Sequence, residues 1–236
     1  MEDPEQDAAT PTGREWLGNA GPWADERIRP SPHHVEPDFT IQETRIDDCD
    51  IDPRRIVGTS RDRYSQGMTW REFLVRGKRI KAKLEALETR PEYYEDPKGH
   101  ATDTEPWHLV EIDGELYTCT GNHRSVVAKF RAHEEGRTRQ RVWSVDRLVV
   151  SRDAKAQYQA LQAEYLPGEG DFGPKREPVR QSGQTTRFRI CVDCRLHGLG
   201  RRRLPVADAA AFVRRRNRVA KAVLDWPRTL WNRLFG

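Results

Sequence analysis

Long apolar runs are missing from this sequence. No stretch of about 18 consecutive apolar residues occurs, so no helix is expected to span a membrane. Cysteine is scarce as well: four in 236 residues (Cys49, Cys119, Cys191 and Cys194) are too few for a disulfide scaffold of this length. Apolar residues reach only 36% against 33% charged, so part of the chain is expected to pack little. The first residues, MEDPEQDAATPTGREW, lack the basic start and apolar core of a secretory signal. A cytoplasmic protein is expected.

Charge is abundant, and it is polarised. Residues 1–52 hold 4 Lys/Arg against 14 Asp/Glu, whereas residues 201–236 hold 10 against 2. An acidic head and a basic tail imply mutual attraction or a tail meant for a polyanion. Both ends could instead be solvated and loosely ordered.

Six prolines (4, 11, 22, 30, 32 and 37) mark residues 1–37 as a mostly irregular acidic segment. Residues 38–48 alternate weakly, as a strand would. Over 69–90, Thr69 and Glu72 form a capping box, and Trp70, Phe73, Leu74, Ile80, Leu84 and Leu87 recur at helical spacing. Gly77 weakens that helix and Pro91 ends it. Residues 107–120 read as a hairpin turning at Asp113-Gly114, a pair suited to positive φ. A helix over 124–135 follows, stopped by Gly136. Residues 140–150 read as a strand and 151–166 as a short helix. The fold class expected is α+β, with one compact domain over 38–166. Residues 167–184, rich in Gly and Pro, read as a linker to a basic extension over 185–236.

The most informative stretch is CTGNHRSVVAKF, residues 119–130. A strand reaches Gly121, and Asn122, His123 and Arg124 then open a helix. A helix start offers unpaired backbone N–H groups and the positive end of the macrodipole. Glycine lets a ligand approach the backbone, Arg forks two phosphate oxygens, and His donates or relays a proton. Gly121, Asn122, His123, Arg124 and Ser125 therefore read as a phosphate cradle. The plain alternative is a capping Asn122 with His123 and Arg124 in solvent.

DGELYTCTGNHRSVVAKF resembles the signature of the ParB/sulfiredoxin fold, in which a hairpin feeds a Gly-x-[His/Arg]-Arg turn that holds nucleotide phosphates. Gly121, His123 and Arg124 match it, and the resemblance is specific over 109–130. Asn122 stands where sulfiredoxins carry their reactive cysteine, which excludes that chemistry. Nor does a helix-turn-helix follow in 167–236, as it does in chromosomal partition proteins. The chain is similar in character to plasmid proteins of the Osa type, which inhibit conjugative transfer. That resemblance implies binding of ATP with Mg²⁺, ATP hydrolysis and DNA cleavage. Partners would be DNA, through the basic tail, and a conjugation or secretion component. Two alternatives stay open: a non-catalytic DNA-binding or partition-related regulator, and an inhibitor that blocks a transfer component by direct binding.

Hydrolysis needs a metal or a positioned base. His123, Arg124 and mid-strand Glu111 are the catalytic candidates; Glu115 is expected in solvent beyond the turn. Asp47, Asp48, Asp50 and Asp52 could line a Mg²⁺ cleft or simply be solvated. Cys191, Cys194 and His197 have metal-compatible spacing, but a fourth zinc ligand is not evident, and an exposed strand end with reduced thiols is the alternative. The tail pairs Phe212, Val219, Val223, Leu230 and Leu234 with Arg214, Arg215, Arg216 and Arg218. It reads as a basic amphipathic helix for a polyanion, or as one packed on the domain with its arginines in water.

Overall fold

The computed structural model describes residues 10–32, 39–96, 106–164, 172–196, 200–209 and 211–215. Helices and strands are mixed, as an α+β fold requires. The chain divides into two compact units. The first comprises residues 1–37, 42–149 and 181–186; the second comprises 38–41, 150–180 and 187–236.

The first unit is built on strands β1 (Arg29–Pro30), β2 (Thr40–Ile51), β3 (Ile56–Thr59), β4 (His108–Ile112), β5 (Glu115–Thr120) and β6 (Gln140–Val150). Their order across the sheet is β1-β3-β5-β4-β6-β2. β3 runs parallel to β5, β4 antiparallel to β5, and β4 parallel to β6. The β4–β5 hairpin turns where expected, with Asp113 at φ 52° and Gly114 at φ 83°. The capping box at Thr69 and Glu72 forms in both directions.

The helix expected over 69–90 is interrupted. It runs as Trp70–Arg76 and Ile80–Thr89, because Gly77 turns to an extended ψ of 117° and ends the first piece; the break needs glycine, since a Cβ there would sit 2.6 Å from Ile80 Cγ1 and 2.8 Å from the Phe73 carbonyl. The long helix Asn122–Glu135 begins two residues earlier than expected. Its Val126, Val127, Ala128 and Phe130 enter the first core with Trp70, Phe73, Leu84, Trp107, Leu109 and Leu116. Lys129 lies on this buried side too. Its ammonium donates to the carbonyls of Arg54 and Ile56, both at 2.8 Å, and sits about 5 Å from the Trp23 and Trp70 rings. Burial pulls its pKa down to about 8.

The acidic head is not irregular throughout. Thr10 caps a helix at Pro11–Asn19, and Pro22 opens a short 3-10 turn at Pro22–Asp25. These prolines occupy first-turn positions, where the missing N–H costs nothing. Trp16, Ala24 and Ile28 join the first core.

The segment read as a linker is also corrected. Strand β7 spans Phe172–Ser182, followed by β8 (Thr185–Leu196) and β9 (Gly200–Pro205). β7 is an edge strand beside β8, where an outward N–H needs no partner, so Pro174 and Pro178 are tolerated. β9 pairs antiparallel with β8, with Asp193 opposite Arg203. The helix expected over 151–166 spans Arg152–Glu164 and gives Tyr158 and Leu161 to a second core with Phe39, Ile190, Val192, Val206 and Val213.

Candidate phosphate-binding site

Gly121 ends β5 and caps the long helix at φ 82°, ψ 28°, in the left-handed region. Its carbonyl accepts from the Ser125 N–H at 3.0 Å, closing the first helical turn. A Cβ here would lie 2.8 Å from Cδ1 of the fully buried Trp107. Glycine is thus required twice, for the dihedral and for the indole. Trp107 Nε1 donates to Ser125 Oγ at 2.9 Å, and Thr118 Oγ1 donates to the same oxygen at 2.8 Å. Ser125 is therefore an internal brace of the turn.

Asn122 is buried. Its Oδ1 accepts from Thr59 Oγ1 at 2.5 Å, while Thr59 Oγ1 accepts from the Arg61 N–H at 3.0 Å. The side chain ties the helix start to the end of β3; it does not cap the helix. Arg124 is 3% exposed and folds back over the turn. Its guanidinium carbon is 5.9 Å from the Trp107 ring centre, and its Nε is 3.2 Å from where a Cβ on Gly121 would be. The alternative of a solvated Arg124 gives way to a charge held against the glycine.

His123 packs edge-on against Tyr64 and Phe73, with ring centres 5.9 and 5.3 Å away. Its Nε2 is buried and has no hydrogen-bond partner among the described residues. Burial, and then the positive charges of Arg63, Arg79 and Lys83, bring its pKa down to about 4. The imidazole is thus neutral at pH 7, in the field of three cations. Arg61, Arg63 and Arg79 are exposed and form no salt bridge among the described residues. No periodic pattern marks them in the sequence, because Arg61 follows β3, Arg63 lies in the short helix Asp62–Ser65 and Arg79 lies in the break between two later helices.

Glu111 is not brought to this site. Its register partner is Leu116, five residues before Gly121, or about 16 Å of strand at 3.3 Å per residue. Its carboxylate takes Arg55 at 2.7 Å and Arg147 at 2.8 Å, and these bonds outweigh burial to hold its pKa below the usual range. Glu115 lies beyond the turn as expected, but paired with Arg29 at 2.8 Å. The aspartates of 47–52 are taken up one by one by arginines. Asp47 takes Arg45, Asp48 takes Arg141, Asp50 takes Arg139, and Asp52 takes Arg54. Cys191 is buried and donates its thiol to Glu177. The Cys194 side chain and His197, the other two residues of the zinc reading, lie outside the described residues, as does 216–236 of the tail. Where the tail is described, Val213 is buried in the second core while Arg214 and Arg215 are exposed.

No family description, curated protein or solved structure matches this chain.

Proposed function

We propose that this protein binds a nucleoside triphosphate through its phosphates at the Gly121–Arg124 turn. The observation that carries the proposal is the buried, unpartnered His123 Nε2, set at the start of a 14-residue helix, with the positive charges of Arg63, Arg79 and Lys83 near enough to help lower its pKa. A group with several negative oxygens would accept from the helix N–H groups and the guanidinium donors together. Phosphate fits these residues on charge and on hydrogen bonding. Among the described residues no group of three or more His, Cys, Asp or Glu side chains could hold a metal ion. Mg²⁺, if required, would arrive on the oxygens of ATP itself.

The wider role follows from the resemblance alone: inhibition of conjugative DNA transfer, with ATP hydrolysis and DNA cleavage. We assign binding to the turn and no hydrolytic base, since Glu111 is engaged by two arginines. Calorimetric titration with Mg·ATP tests the proposal. Arg124→Lys keeps the charge and loses the bidentate fork, so affinity should fall about tenfold, roughly 1.4 kcal/mol. His123→Gln should weaken binding less. Wild-type protein that takes up no heat from ATP, or an Arg124→Lys variant of unchanged affinity, would end the proposal.

A further inference from the structure

The second unit carries a surface of one sign that nucleotide binding does not use. Strands β7 and β8 over residues 172–190 hold five cations (Lys175, Arg176, Arg180, Arg187 and Arg189) against one acid, Glu177. Glu177 accepts from Cys191 on β8 and pairs with Arg203 on β9 at 3.1 Å, which places it on the face that Asp193 shares. Because side chains alternate along a strand, Lys175 shares that face on β7, and Arg187 and Arg189 share it on β8. The opposite face of β8 places Ile190 and Val192 in the second core. Arg203 already satisfies both local carboxylates, at 2.6 Å from Asp193. Lys175, Arg187 and Arg189 are exposed and form no salt bridge among the described residues.

Edge protection explains only part of this. Charged residues and prolines do blunt an edge strand, but Pro174 and Pro178 already do so on β7. Arg187 and Arg189 lie on β8, which is paired, and edge protection does not require a single sign.

We infer that the Lys175–Arg187–Arg189 face of β7 and β8 docks on the phosphates of duplex DNA. Arg187 and Arg189 are about 6.8 Å apart along the strand, a rigid row of donors suited to a regular row of phosphates. A membrane surface is disfavoured, because such binding needs apolar side chains beside the cations. Val179, at 53% exposure, is the one large exposed hydrophobic between residues 172 and 190. A single strand is disfavoured too, because it needs exposed rings for its bases to stack on. Phe188 is half-buried, with the Arg176 guanidinium 4.6 Å above its ring.

The test uses the full chain and a fluorescein-labelled duplex, with anisotropy read over a series of salt concentrations. Wild-type affinity should fall steeply with salt through counterion release. Lys175→Gln/Arg187→Gln/Arg189→Gln should flatten the log–log slope by about two to three units, close to one for each phosphate left without its cation. Circular dichroism and Mg·ATP calorimetry on the same variant should be unchanged, which separates this face from the Gly121 turn. Unchanged slopes in the triple variant would overturn the inference, as would a flattened slope on removing residues 216–236 alone. So would binding to phosphatidylserine vesicles or to polyglutamate as tight as to the duplex.

Discussion

Arginine serves two different ends in the two units. In the first, eleven arginines reach carboxylates, among them Arg55 and Arg147 on Glu111, Arg141 on Asp48 and Arg139 on Asp50. In the second, Arg203 takes both Asp193 and Glu177. The sheet of the first unit places cations opposite anions across its strands; β7 and β8 place cations with few anions to meet. Charge that folding consumes says little about ligands. Charge left over, at Arg61, Arg63 and Arg79 in one unit and at Lys175, Arg187 and Arg189 in the other, marks surfaces where an external polyanion gains most.

Acid should strain the first unit more than any single substitution. The pKa of His123 lies near 4, and burial also brings His133, stacked 3.9 Å from Trp23, down to about 4. Unfolded histidines titrate near 6.5 and bind protons first, so stability is lost as pH falls from about 6.5 towards 4. Glu111, Glu115, Asp25 and Asp52 are all held below their usual values and add losses below about 4.5. Urea melts at pH 7, 5.5 and 4.5 should show the midpoint falling at each step; a flat profile would mean these groups are not held as described.

A smaller loss should follow Glu111→Gln, which strands two arginines around a carboxylate only 13% exposed. We expect about 1–3 kcal/mol in chemical denaturation. Unchanged Mg·ATP affinity would agree with its distance from the turn. The smallest effect belongs to the leftover charges. Lys175→Gln, Arg187→Gln and Arg189→Gln should each move stability by no more than about 0.5 kcal/mol. If any one of them destabilises as much as Glu111→Gln, the contrast between the units fails.

Local signals in the sequence read well. The Asp113-Gly114 turn, the Thr69/Glu72 box and the strand at 140–150 each depend on neighbours within a few residues, and each stands where expected. Proline misled twice, at Pro11 and Pro22 and again at Pro174 and Pro178. Whether a proline breaks an element or sits harmlessly at a helix start or sheet edge depends on partners that the sequence does not show. Lys129 carried no signal, since its two carbonyl partners lie 75 and 73 residues away. The glycine that opens the long helix was legible. The cations around His123 were not, because three separate elements bring them there.

The most direct test of leftover charge as the mark of binding compares two double variants by Mg·ATP calorimetry. Arg63→Gln/Arg79→Gln removes two cations near His123 that meet no carboxylate among the described residues, and Arg55→Gln/Arg147→Gln removes the two that meet Glu111. We predict that the first loses at least about tenfold in affinity, roughly 1.4 kcal/mol, with its urea midpoint intact. The second should stay within about twofold in affinity, roughly 0.4 kcal/mol, while its midpoint falls. Equal affinities for both variants and the wild type, or the opposite ranking, would contradict the link between leftover charge and binding.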